Sequence, residues 1–126
     1  MRPLKIAIVG TGNVAANNYL PFLSRQEHVS LSYLSRTKSK AIACQQKFGG
    51  KVCDSPAELM ADEPDTVLIL TNEDQRYDVA CQLLEFKPKR LFMEKPLHAR
   101  LGQAQVTEND FFEARELMRK AEQQGV

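Results

Sequence analysis

Residues 4–15 read Leu4-Lys5-Ile6-Ala7-Ile8-Val9-Gly10-Thr11-Gly12-Asn13-Val14-Ala15. The first six are mostly apolar, with β-branched residues among them, which predicts a short buried strand. The next six form the pattern G-x-G-x-x-A. From Val14 onward apolar residues fall at helical spacing through Ala15, Tyr19, Leu20 and Leu23. A glycine pattern that leaves a strand and opens a helix points to a dinucleotide-binding turn. Gly10 permits the tight turn, Gly12 puts no side chain between the backbone and a pyrophosphate, and Ala15 allows close helix–strand packing. The helix start offers unpaired N–H groups and a positive dipole end to phosphates. Pro21, which lacks an N–H, is expected to kink or restart this helix.

Outward from this stretch, strand and helix alternate. Val29–Leu34 alternates apolar and polar residues as a second strand, and a helix follows from about Lys38 with Ala41, Cys44, Gln45 and Phe48 on one face, closed by Gly49-Gly50. Lys51-Val52-Cys53 reads as a third strand. Ser55-Pro56-Ala57-Glu58 opens a short helix, with Ser55 as cap and Glu58 completing a capping box. Thr66-Val67-Leu68-Ile69-Leu70 is the continuous apolar run of a strand covered on both faces. Tyr77, Ala80, Cys81 and Leu84 mark a helix face, and Arg90–Met93 a fifth strand. After a weakly patterned loop, Thr107 caps a last helix with Phe111, Ala114, Met118 and Ala121 on its face and Glu116–Lys120 as a surface pair. Five strands joined by helices predict one α/β domain over residues 1–126. Its form is a Rossmann-type, doubly wound parallel sheet in three αβα layers. Gly125 ends the last helix and Val126 reads as the start of a sixth strand, so that strand is expected to be missing. The open sheet edge and helix face then invite a homo-oligomer.

Composition narrows the partners. The chain has 126 residues, with 17 Lys plus Arg against 16 Asp plus Glu. A net charge of +1 gives no global field for nucleic acid or an anionic membrane, and neither is expected as a partner. No apolar run approaches the roughly 18 residues of a membrane span, and no signal peptide is evident, so a cytoplasmic protein is expected. Cys44, Cys53 and Cys81 are odd in number, form no CxxC pair and lie far from His28 and His98. No metal site or disulfide framework is expected.

Two further segments carry chemistry. Dinucleotide-binding folds that take NAD place an Asp or Glu near the end of the second strand. Here that position reads Leu34-Ser35-Arg36-Thr37-Lys38, without an acid. Ser35 and Thr37 can donate to a 2′-phosphate, and Arg36 can fork onto it and stack on adenine, which favours NADP over NAD. Lys38 and Lys40 read as a solvated helix start. The fifth strand ends in Glu94-Lys95-Pro96, on the rim where ligands of open α/β sheets bind, and a lysine there can donate to a substrate oxygen or relay protons.

Taken together, Gly10–Ala15, Ser35-Arg36, Thr71-Asn72 and Phe92-Met93-Glu94-Lys95-Pro96-Leu97 resemble the amino-terminal domain of the Gfo/Idh/MocA family, the glucose–fructose oxidoreductase and inositol dehydrogenase relatives. The resemblance implies hydride transfer between a nicotinamide cofactor and a secondary alcohol or ketone of a sugar or cyclitol. It implies that Gly10, Thr11, Gly12, Asn13 and Val14 hold the dinucleotide and that Ser35, Arg36 and Thr37 meet the adenosine ribose or its phosphate. By the same resemblance Thr71 and Asn72 line the cofactor, Glu94 and Lys95 lie near the nicotinamide, and Lys95 is the catalytic residue. The sequence departs from the family where Asn72 stands in place of a common Pro and Arg76 in place of a His. The link after Pro96 is longer, and the family's second, substrate-bearing domain is absent. The chain is therefore expected to be a truncated oxidoreductase, inactive alone. A non-enzymatic dinucleotide sensor or scaffold is the alternative.

Overall fold

Alternation along each strand sets both faces of the sheet at once. The computed structural model describes residues 2–94, 97 and 99–126. Five strands form one parallel sheet: β1 (Leu4–Val9), β2 (Val29–Leu34), β3 (Lys51–Val52), β4 (Thr66–Ile69) and β5 (Leu91–Met93), in the order β3-β2-β1-β4-β5. This is the doubly wound arrangement, and no sixth strand occurs among the described residues. Ile6, Ile8, Leu31, Tyr33, Leu68 and Leu70 pack on one side with Ala15, Leu20, Ala41 and Cys44. Ala7, Val9, Val67 and Ile69 pack on the other with Leu59, Ala80, Leu83, Leu84 and Leu117. Helices α1 (Leu20–Leu23) and α2 (Lys38–Phe48) thus cover one face, and α3 (Pro56–Ala61), α4 (Arg76–Leu84) and α5 (Glu108–Gln123) the other. Because Val9 pairs with both Leu34 and Ile69, and Ile69 with Met93, the carboxyl ends of four strands open on one rim.

The helix after the glycine turn is not regular. Its backbone is helical from Asn13, widens to a π-helical turn over Ala15–Tyr19, and tightens into α1. Leu20 N–H closes on the carbonyl of Ala15, five residues back. A proline in a regular helix crowds the carbonyl four residues earlier. The widened turn instead places Pro21 in the first turn of α1, where no N–H is required.

Four local expectations are corrected. The Ser55 hydroxyl accepts from Glu58 N–H at 3.1 Å, but the Glu58 carboxylate accepts from Asp54 N–H rather than from the cap residue, so the box closes one residue early. In α5 the inward face carries Asp110 and Leu117, both buried, with Ala114 and Ala121 half-buried. Phe111 and Met118 are 61% and 58% exposed. The anchor is polar: Thr107 and Asp110 form a reciprocal capping box, and Asp110 also accepts from Arg100 N–H at 3.1 Å. Glu116 pairs with Arg119 at 3.2 Å, while the Lys120 ammonium lies over the Tyr77 ring. In α4 the buried positions are Arg76, Ala80, Leu83 and Leu84, with Tyr77 and Cys81 only half-buried.

The opposite rim is held by Asp65, the residue immediately before β4. Its carboxylate accepts from Lys5 N–H at 2.8 Å and from both Arg2 Nη atoms at 2.5 and 3.1 Å, with Lys89 Nζ 3.8 Å away. These donors hold its carboxyl well below the usual carboxylate range, the Arg2 hydrogen bond contributing most. Cys44 and Cys53 are buried free thiols and Cys81 is a half-buried one. Among the described residues no helix is long and apolar enough to cross a membrane, and no group of His, Cys, Asp or Glu is placed to hold a metal.

Candidate functional site

At the rim where β1 and β4 part, the strand order reverses and the loops diverge, leaving a groove of about 810 Å³. It brings together Gly10, Thr11, Gly12, Asn13 and Val14 from the glycine turn, Ser35, Arg36 and Thr37 from the end of β2, and Thr71 and Asn72 after β4. Gly10 has φ +98°, and a Cβ there would lie 2.7 Å from Thr71 N, so this position admits glycine for both conformation and space. A Cβ on Gly12 would meet nothing within 4 Å, so that side of the turn faces open space. The hydroxyl oxygens of Thr11 and Thr71 are buried and have no hydrogen-bond partner among the described residues. Buried hydroxyls are normally paired, so two orphans flanking one groove suit a ligand rich in oxygen.

The basic residues sort differently from the sequence expectation. Lys38 leaves the groove and pairs with Asp54 at 2.7 Å, whereas Lys40, also expected to be only a solvated helix start, lines the groove together with Lys47. No carboxylate among the described residues pairs with Arg36. Instead the Gln75 side-chain amide lies 3.2 Å from Arg36 Nη1 and Nη2, and the amide orientation that satisfies both groups turns the oxygen toward them, so that both donate to it. Gln75, Lys40 and Lys47 are site residues that sequence reasoning missed. Only the helical phase of Lys40 relative to buried Ala41 and Cys44 hinted at one of them.

Glu94, at the end of β5, lies beside the groove rather than in its wall. The Tyr19 hydroxyl donates to its carboxylate, and the Tyr19 ring meets Phe92 edge to face at 6.0 Å. That carboxylate partner pushes the Tyr19 hydroxyl pKa up to about 12. Arg76 is 6% exposed; its Nε donates to Thr71 carbonyl at 3.1 Å and its Nη1 to Glu94 carbonyl at 2.9 Å. Arg76 thereby ties the ends of β4 and β5 together, and its burial lowers its pKa. Lys95, expected as the catalytic residue, lies outside the described residues, as do Pro96 and His98.

Over residues 4–126 the chain matches the family model GFO_IDH_MocA, described as an oxidoreductase family with an NAD-binding Rossmann fold. Similar solved structures include KijD10, a 3-ketoreductase from Actinomadura kijaniata in complex with NADP and TDP-benzene, at 22% identity and TM-score 0.79. That alignment covers 99% of this chain and 36% of KijD10. GenD2 from gentamicin A biosynthesis, in complex with NAD, aligns at 22% identity and TM-score 0.79 over 100% of this chain and 33% of its own. A Gfo/Idh/MocA family oxidoreductase from Vibrio cholerae aligns at 22% identity and TM-score 0.79, covering 96% and 36%. No curated protein matches the sequence. The chain spans about a third of the length of these solved structures. The strand order, the glycine turn at the switch point and the family match over nearly every residue converge: the chain belongs to the Gfo/Idh/MocA oxidoreductases, as their NAD(P)-binding Rossmann domain.

Proposed function

We propose that this chain is the cofactor domain of an NADP-dependent oxidoreductase acting on a sugar- or cyclitol-like secondary alcohol or its ketone. The observation that carries the NADP preference is the groove wall at the end of β2, where Ser35, Arg36, Thr37 and Lys40 gather without a carboxylate. A carboxylate there would repel a 2′-phosphate; a guanidinium and an ammonium attract it.

A bound nicotinamide dinucleotide would accept the hydride from an alcohol or donate it to a ketone. The chain's own residues do the rest. The Gly10–Val14 turn and the orphaned Thr11 and Thr71 hydroxyls hold the phosphates and ribose, and Asn72 lines the passage toward the nicotinamide end. Tyr19 and Arg76 fix Glu94 at the end of β5, and Lys95, next in sequence, moves a proton at the reacting substrate oxygen. The substrate pocket is assigned to chain beyond this domain, because the similar structures are about three times longer. The domain alone is expected to bind cofactor without turnover and to self-associate through its exposed edge or helix face.

Calorimetric titration with NADP and with NAD tests the reading. NADP is expected to bind at least tenfold tighter, about 1.4 kcal/mol, and Arg36→Ala is expected to remove most of that margin. Absence of binding by both dinucleotides overturns the cofactor assignment, and tighter binding of NAD overturns the role of Ser35 and Arg36.

A further inference from the structure

We infer that Gln75 is a positioning residue for Arg36 and that its neutrality sets the preference between NADP and NAD, an inference that rests on the NADP reading above. The two side chains come from opposite lips of the groove. Arg36 follows β2, Gln75 closes the turn after β4, and β1 lies between those strands. Their contact therefore crosses the groove above the end of β1. Gln75 N–H donates to Asn72 carbonyl at 3.0 Å, which fixes the turn, and Gln75 occupies the residue before α4 without capping it. Its side-chain amide, relieved of a capping role, lies 3.2 Å from both Nη atoms of Arg36, and the orientation assigned by hydrogen bonding, oxygen toward the guanidinium, makes it the acceptor of both.

The chemistry of that acceptor matters. A guanidinium on a flexible stem loses side-chain entropy whenever it is held in one place, and an acceptor on the far lip imposes that loss before any ligand arrives. A carboxamide does so without neutralising the charge. One oxygen engages two N–H groups and leaves the other guanidinium donors for an oxyanion. With no carboxylate pairing with Arg36 among the described residues, its full positive charge faces the place where a 2′-phosphate would sit. A carboxylate in place of the carboxamide would pair with both Nη atoms and compete with the phosphate for the same donors. NAD, with a ribose hydroxyl there, has far less to lose.

Gln75→Glu tests this directly, with NADP and NAD titrated in parallel by calorimetry on the chain as it stands. An acidic residue at a helix amino terminus is favourable, so the variant is expected to fold as well as its parent. The affinity ratio of NADP to NAD is expected to fall roughly fivefold to tenfold, the scale of one charge-assisted contact, with NAD affinity within about twofold of the parent. In an Arg36→Ala background the same substitution is expected to leave the ratio unchanged, because Gln75 acts through Arg36. A ratio unmoved by Gln75→Glu in the parent overturns the inference. So does an equal fall in the Arg36→Ala background, which would show a direct effect on the phosphate. If the parent chain binds neither dinucleotide, or prefers NAD, the NADP reading fails before any variant is compared, and this inference falls with it.

Discussion

Gly10 shows what a single residue decides here. Its φ of +98°, and the mere 2.7 Å that would separate a Cβ from Thr71 N, make alanine doubly unfavourable. Gly10→Ala is expected to destabilise the fold by about 1–3 kcal/mol and to weaken dinucleotide binding, because β1 and the turn after β4 must separate to admit the methyl. Urea denaturation with a parallel NADP titration checks both; an unchanged midpoint and affinity would contradict the packing. The requirement at Gly10 was legible because it is local, set by a strand, a turn and a helix adjacent in sequence. The sorting of Lys38 from Lys40 was not. Both are exposed lysines at one helix start, and only the position of Asp54, sixteen residues beyond Lys38, draws one away. Gln75 and Arg76 were illegible as partners for the same reason: their roles lie in atoms that the fold brings to them across the rim.

At the level of elements, sequence periodicity located the strands and helices to within a residue or so, since apolar spacing and caps act over a few residues. It misjudged the phase of α5. Phe111 and Met118 looked like the core face because they are the larger apolar residues, but the capping box turns Asp110 and Leu117 inward instead. The two phases predict opposite mutational costs. Leu117→Ala is expected to cost about 2–5 kcal/mol, whereas Met118→Ala is expected to stay within about 0.5 kcal/mol of the parent. Chemical denaturation of the pair decides between them, and a larger loss at Met118 would reverse the assignment. The π-helical turn before Pro21 is an element-scale feature that the sequence announced only as an interruption. Pro21 signals that a regular helix must yield, but the direction in which Tyr19 then points depends on Glu94 and Phe92, far along the chain.

For the molecule as a whole, the two rims of the sheet do different work. One rim is tied by Asp65 to the backbone of β1 and to cations preceding β1 and β5; the other carries the groove. Because the folded state holds the Asp65 carboxyl below its ordinary value, its contribution to stability is complete above the usual carboxylate range. That contribution is lost as pH falls through and beneath that range. Asp65→Asn is therefore expected to be less stable than the parent at pH 7 and to lose less on acidification, so the two denaturation midpoints converge toward pH 3. A gap of equal size at both pH values would show that the carboxylate's charge is not what holds this rim. The overall architecture was readable from alternation and turn chemistry alone, whereas the division of labour between rims required the strand register, which no local pattern encodes.

That division has a consequence for how such a domain changes over time. The residues proposed to discriminate between dinucleotides, at positions 35, 36, 40 and 75, are side chains on loops and a helix start, and none belongs to either packed cluster. On that proposal, cofactor choice can drift by a few substitutions outside the core while the sheet and its acid-locked edge stay untouched. Metabolic currency is thus an inexpensive trait to rewrite on this scaffold, whereas the scaffold itself is not.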